Sequence, residues 1–181
     1  MGHRREPRNR ELEALMTMIK HLTLVLLLLV LATPRALADT AILKGLPATG
    51  FAVVIDPLDP EARKAGLTEL GLKKVIETRM LKRKIPVVAS GSAEIFVRIV
   101  MLTSNDVGGK VLGYGAHLEL SFREKALLKR DKAVEFLAPV WFKGAVTVSN
   151  PKSVVAEVVV SLASLTDQFL NDYQHENPTK H

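Results

Sequence analysis

Hydrophobic and polar residues alternate with period two over three long stretches of this chain. In residues 93–103 the odd positions Ile95, Val97, Ile99 and Met101 are apolar, and the even positions Glu94, Phe96, Arg98, Val100 and Leu102 are mixed. In 111–123 the parity inverts: Leu112, Tyr114, Ala116, Leu118, Leu120 and Phe122 alternate with Gly113, Gly115, His117, Glu119 and Ser121. In 133–148 the even positions Val134, Phe136, Ala138, Val140, Phe142, Val146 and Val148 are apolar, against Glu135, Leu137, Pro139, Trp141, Lys143 and Thr147. Alternation this long predicts an antiparallel sheet with one fully buried face. Core must meet core across each ladder, which sets Met101 opposite Leu112 and Ile99 opposite Tyr114. A loop at Lys129-Arg130-Asp131 sets Phe122 opposite Ala138 and Lys125 opposite Glu135, a favourable cross-strand pair. A longer loop that shifts the pairing sum by four keeps the same parity.

Elsewhere the apolar period is helical. Leu67, Leu70, Leu72, Val75, Ile76 and Met80 predict a helix over 68–84, ending before Pro86. Val155, Val158, Val159, Leu162, Leu165, Phe169 and Tyr173 predict a second, with Asn150 as N-cap, Pro151 at N1 and Asn177-Pro178 as its stop. Phe51–Asp56 is an apolar run of strand length, ended by Pro57 and Pro60, since proline cannot donate to a ladder. Glu61–Gly66 is a connector or a first helical turn. The order is β-α-β-β-β-α, an α+β two-layer sandwich with a mainly antiparallel sheet and two helices on one face. Ile95, Val97, Ile99, Tyr114, Leu118, Phe136, Val140, Val158 and Leu162 are the expected core.

The first 38 residues have a different character. LTLVLLLLVLATPRALA, Leu22–Ala38, is a short apolar run followed by Pro34 and the small-x-small box Ala36-Leu37-Ala38. This is the pattern of a secretory signal peptide, with cleavage between Ala38 and Asp39. The run falls short of the ~20 apolar residues that span a bilayer. Residues 1–15 are charged and read as an over-extended start or a long n-region. Residues 39–181 form one α+β domain, periplasmic or secreted after cleavage, with no membrane-spanning segment left.

The formal net charge is +6, from 25 Lys and Arg against 19 Asp and Glu. Residues 1–38 hold six of the cations and three of the anions, so the domain itself carries only +3. Weak charge and export both argue against a nucleic-acid partner. Cysteine is absent, which excludes disulfides, a thiol nucleophile, a thiolate metal site and the lipid-anchoring cysteine of a bacterial lipoprotein. No His and carboxylate spacing suggests a metal, no cofactor fingerprint is present, and no GxSxG or SxxK supports serine chemistry. No catalytic residue stands out. Asp56 and Asp59 with His117 are the raw material for a hydrolase or isomerase if they converge, though Asp-Pro turns commonly serve as scaffolding.

Two features are left as binding candidates. The first is the mixed sheet face of Phe96, Arg98, Val100, His117, Leu137, Trp141 and Lys143, a surface for a partner or ligand. Trp141, the single tryptophan, is expected to be at least partly exposed there. The second is the basic end of the first long helix, Lys73, Lys74, Arg79, Lys82, Arg83 and Lys84, which could meet an anionic envelope component, although cations also suit a helix C-terminus.

With GLTELGLKKVIETRMLKRKIPVV as the helix-to-strand segment, residues 50–174 resemble small envelope modules of β-α-β-β-β-α plan. Examples are the amino-terminal domain of TolB and the CsgG-like and penicillin-binding-protein-activator lipoproteins. The closing LTDQFLNDYQHENP resembles the ends of uncharacterised exported proteins of Gram-negative bacteria. The resemblance implies a fold and carries no functional residues. The expected function is a non-enzymatic periplasmic binding or accessory protein that acts on an envelope protein or anionic component, through its outer sheet face or a strand edge. Self-association by edge pairing is a further expectation.

Overall fold

The computed structural model describes residues 40–46, 50–91 and 93–178. The signal-peptide expectation, with cleavage between Ala38 and Asp39, falls outside them. A 3-10 turn, Thr40–Leu43, leads into β1 (Ala52–Ile55), α1 (Pro60–Lys64), α2 (Glu69–Lys82), β2 (Ala93–Asn105), β3 (Val111–Leu128), β4 (Asp131–Ser149) and α3 (Val154–Glu176). The four strands form one sheet in the order β1-β2-β3-β4, with β1 parallel to β2 and the other pairs antiparallel. Helices α2 and α3 pack against one another on one face, α2 over β1 and α3 over β3 and β4. The α+β sandwich is the one the alternation predicts.

Local chemistry sets the helix boundaries. Asp59 caps α1, its Oδ1 accepting from the Ala62 amide at 2.7 Å, with Pro60 at the first helical position. The hydroxyl of Thr68 caps α2 by accepting from the Gly71 amide at 3.1 Å. Helix α2 ends in a Schellman motif: Ile85 N–H donates to the Met80 carbonyl and Lys84 N–H to that of Leu81, both at 3.0 Å. Its left-handed position, φ +59°, is held by Lys84 where glycine is usual. Asn150 Oδ1 accepts from the amides of Lys152 and Ser153, but that turn lies ahead of α3, which starts at Val154.

Phe169 of α3 is the centre of the core. Its ring meets those of Phe122 and Trp141 at 5.2 Å, Phe51 at 6.1 Å and Tyr173 at 6.2 Å. Ile95, Val97, Ile99, Tyr114, Leu118, Val158 and Leu162 are buried as expected. Leu70, assigned to the inner stripe of α2, is exposed. Helix α3 is long and apolar enough to cross a membrane by length and composition alone, but its apolar stripe is spent on this core.

The strand registers depart from expectation in two ways. In the first hairpin Met101 pairs with Ala116 and Ile99 with Leu118, four further along in pairing sum, so core still meets core. In β4 the parity itself changes. Arg123 pairs with Pro139 but Phe122 with Trp141, which leaves Val140 as an extra residue in a β-bulge. Proline favours this irregularity, since it has no N–H for the ladder and tolerates an edge strand. Beyond the bulge the two sides of β4 exchange. Trp141 turns inward and is buried, while Phe142, Val146 and Val148 turn outward; Val140 is half-buried and Phe136 exposed. The expected exposure of Trp141 and the expected burial of Phe142, Val146 and Val148 are therefore corrected; Phe136, ahead of the bulge, is exposed because its pair with Ala126 lies beyond the end of the β2 ladder.

The β3–β4 hairpin extends past the sheet, because the β2 ladder ends at the pair Ala93–Glu124. Lys129 and Arg130 form its turn. Lys125 lies opposite Leu137, and its Nζ reaches Glu135 diagonally at 3.1 Å, so the expected charge pair forms without direct register. At the other pole, Asn177 ties the entry turn to the end of α3. Its Nδ2 donates to the carbonyls of Leu43 (2.6 Å) and Tyr173 (3.0 Å), and its Oδ1 accepts from the Gly45 amide (2.8 Å).

Candidate binding surfaces

Among the described residues both long helices lie on one face of the sheet, and none forms a second layer on the other. Its residues follow from the registers: Arg98–Glu119–Gly144, Val100–His117–Val146 and Leu102–Gly115–Val148 run across β2, β3 and β4. Val100, Leu102, Phe142, Val146 and Val148 are 46%, 72%, 70%, 73% and 83% exposed. Large apolar side chains clustered this way on one face mark an interaction surface more often than scattered ones do. Gly113, Gly115 and Gly144 sit among them and keep the surface low, and a Cβ on Gly144 would meet the Leu118 carbonyl oxygen at 3.2 Å.

Polar groups border the patch. Arg98 Nε donates to Asp56 Oδ2 at 2.9 Å, joining β2 to the end of β1. His117 is exposed between Val100 and Val146. Phe96 shares this face but is buried, with the Arg123 guanidinium carbon 3.3 Å from its ring centroid. Leu137 is exposed in the extended hairpin, away from the patch.

Of the seven residues assigned to this face, the bulge removes two. Trp141 and Lys143 point inward, where the indole N–H donates to Asp172 Oδ2 at 3.0 Å and Lys143 Nζ reaches the same oxygen at 3.3 Å. Lys143 Nζ also lies 5.4 Å from the Trp141 ring centroid. This polar cluster joins β4 to α3 and is packing, not a free surface. Phe142, Val146 and Val148, assigned to the core by unbroken alternation, take their place.

Asp56, Asp59 and His117 do not form a catalytic group. Asp59 gives one carboxylate oxygen to the α1 cap and the other to the Met101 amide, at 2.9 Å. It thereby satisfies a β2 N–H where β1 has turned away. Asp56 is engaged by Arg98. His117 lies two strands from Asp56, roughly 10 Å by strand spacing alone. Among the described residues no group of His and carboxylates could hold a metal.

The basic residues of α2 separate. Lys73 approaches Glu77 at 3.8 Å, and Arg79 approaches Asp167 of α3 at 3.8 Å. Lys74 borders a groove between the helices with Val159, Val160 and Asn171. Lys82, Arg83 and Lys84 turn to a different cleft, at the C-terminal ends of α2 and α3, where Lys44 joins them from the entry turn. Sequence reading missed Lys44, because its segment is brought there by tertiary contacts, the burial of Leu43 and Leu46 and the Asn177 hydrogen bonds.

The chain matches no protein-family model and no curated protein. Solved structures give partial overlaps. A PelC variant from Paraburkholderia phytofirmans, a dodecamer, is 13% identical over 69% of this chain and 86% of its own, with a TM-score of 0.39. Rare lipoprotein B from Shewanella oneidensis is 12% identical over 70% and 96%, with a TM-score of 0.32. A minor lipoprotein from Acinetobacter baumannii is 10% identical over 70% and 92%, with a TM-score of 0.31. Two of these three are lipoproteins of Gram-negative bacteria, and the expected likeness to TolB and CsgG-like modules is not shown. At these scores and identities the overlaps carry no argument about function.

Proposed function

We propose that the protein is a non-enzymatic accessory protein of the bacterial envelope that binds a protein partner on the bare face of its sheet. The observation that carries this reading is the cluster of Val100, Leu102, Phe142, Val146 and Val148 on a face that no helix among the described residues covers. A flat surface with an apolar middle and a polar border of Arg98, Asp56, Glu119 and His117 suits a protein partner better than a small molecule, which takes a concave site. The two clefts described above lie on the helix side and at the helix ends.

A photo-reactive amino acid at position 148 tests this in cells that make the protein. It should give a discrete adduct, which Val146→Lys abolishes, while the same probe at Leu70 or Leu81 on the helix side gives none. Equal labelling from both sides, or none from position 148, would overturn the proposal. An adduct of dimer mass would identify a second copy as the partner.

A further inference from the structure

The cleft at the C-terminal ends of α2 and α3 has a chemistry that the sheet face does not share. Its volume is about 1020 Å³, and Lys44, Lys82, Arg83 and Lys84 border it against a single carboxylate among the described residues, Glu176. Glu176 has a neighbour of its own in His175, whose Nδ1 is 3.1 Å away. Lys44, Lys82 and Lys84 make no ion pair among the described residues. Four cations on the border of one cleft repel one another, and an anion within the cleft relieves that repulsion.

We propose that this cleft binds a phosphate group. Helix C-termini ordinarily repel anions through their free carbonyls, but here several of those carbonyls are taken. Met80 and Leu81 accept from Ile85 and Lys84, and Tyr173 accepts from the Asn177 side chain. The cations are also positioned in advance. Arg83 Nη1 donates to Gln174 Oε1 at 2.8 Å, and the Asn177–Gly45 hydrogen bond fixes the backbone next to Lys44. Lys84 holds a left-handed backbone that glycine adopts without strain. Strain retained for a lysine points to a use for its side chain. Lysines are compact point charges well suited to phosphate, and Leu46, Ile85 and Pro86 offer an apolar wall to whatever the phosphate is attached to.

The test is titration of the purified protein at low ionic strength with inorganic phosphate, and with phosphatidylcholine vesicles with and without phosphatidylglycerol. Saturable binding is expected, weakened about tenfold by Lys44→Gln or by Lys84→Gly, as for loss of one charge-assisted contact. Lys74→Gln, outside the cleft, should leave it unchanged. Lys84→Gly is the decisive variant, since relief of strain raises its melting midpoint while binding falls, so misfolding cannot explain the loss. Binding of free phosphate assigns a soluble ligand, and binding confined to phosphatidylglycerol vesicles assigns a lipid headgroup. Failure to bind either probe, or binding indifferent to the cleft variants, would overturn the proposal and leave the sheet-face reading intact.

Discussion

The two faces of the sheet carry similar side chains and meet opposite fates. Along β3, Leu118 is fully buried and its neighbour His117 is exposed, as strict alternation demands. Along β4 the outward residues Phe142, Val146 and Val148 are as apolar as anything in the core, yet they remain in water. The difference lies in supply. Among the described residues there are two long helices, both on one face, and only that face is covered by them. Hydrophobicity therefore shows that a residue can be buried, and the number of covering layers decides whether it is.

The largest break in this comparison should come from the sealed side. Phe169→Ala removes the ring that four other aromatic rings meet, and should destabilise the fold by about 3–5 kcal/mol in denaturant unfolding. Leu118→Ala should cost about 2–5 kcal/mol by the same mechanism. Trp141→Phe keeps most of the volume but loses the indole hydrogen bond to Asp172, and should cost about 1–2 kcal/mol. The tryptophan emission of the folded protein should be blue-shifted, and a red-shifted spectrum would return Trp141 to the outer face. Lys84→Gly should stabilise by about 0.5–1 kcal/mol, since glycine fits the left-handed position better.

A smaller effect should appear in acid. Glu69 sits below its ordinary value of 4.5, held there chiefly by its own backbone N–H and then by Arg63. Glu157 is lowered by the hydroxyl of Ser149 and then that of Ser153. Depressed carboxylates contribute stability that is present above about pH 4.5 and is lost as pH falls through their folded values. Burial pushes Glu124 the other way, so acid relieves a cost there. With two groups against one, the melting midpoint should fall below about pH 4.5, and Glu157→Gln should flatten that fall. The smallest effect belongs to the bare face. Val148→Ser should change stability by no more than about 0.5 kcal/mol, as surface substitutions do. A larger loss would mean that this face is covered after all.

Most of the fold was legible because periodicity reports which residues share a side. The strands, both long helices and the β2–β3 core followed from it, and a register error of four in pairing sum left every face unchanged. The β4 face was misread because alternation assumes an unbroken ladder. Pro139 was the only sign of trouble in that stretch, and a proline in an edge strand does not say where an extra residue falls. The candidate surfaces were half legible. Arg98, Val100 and His117 belong to the outer face as read, but the phosphate cleft depends on Lys44 and Asn177, which are brought together by tertiary contact and follow no local rule.

The bulge at Val140 gives a single position unusual leverage over the surface. Straighten the ladder there with every residue kept, and β4 beyond it would resume the parity of its first half. Phe142, Val146 and Val148 would swing beneath α3, and Trp141, Lys143 and Thr147 would swing into solvent. The outer face would then become the polar, tryptophan-bearing surface that plain alternation predicts. A bulge gained or lost at one position could thus replace a whole contact surface, while deletion of Val140 itself would leave Trp141 opposite Phe122 and the outer face unchanged. Descendants of such a sequence could differ in what they hold while keeping the same helices and the same strand order.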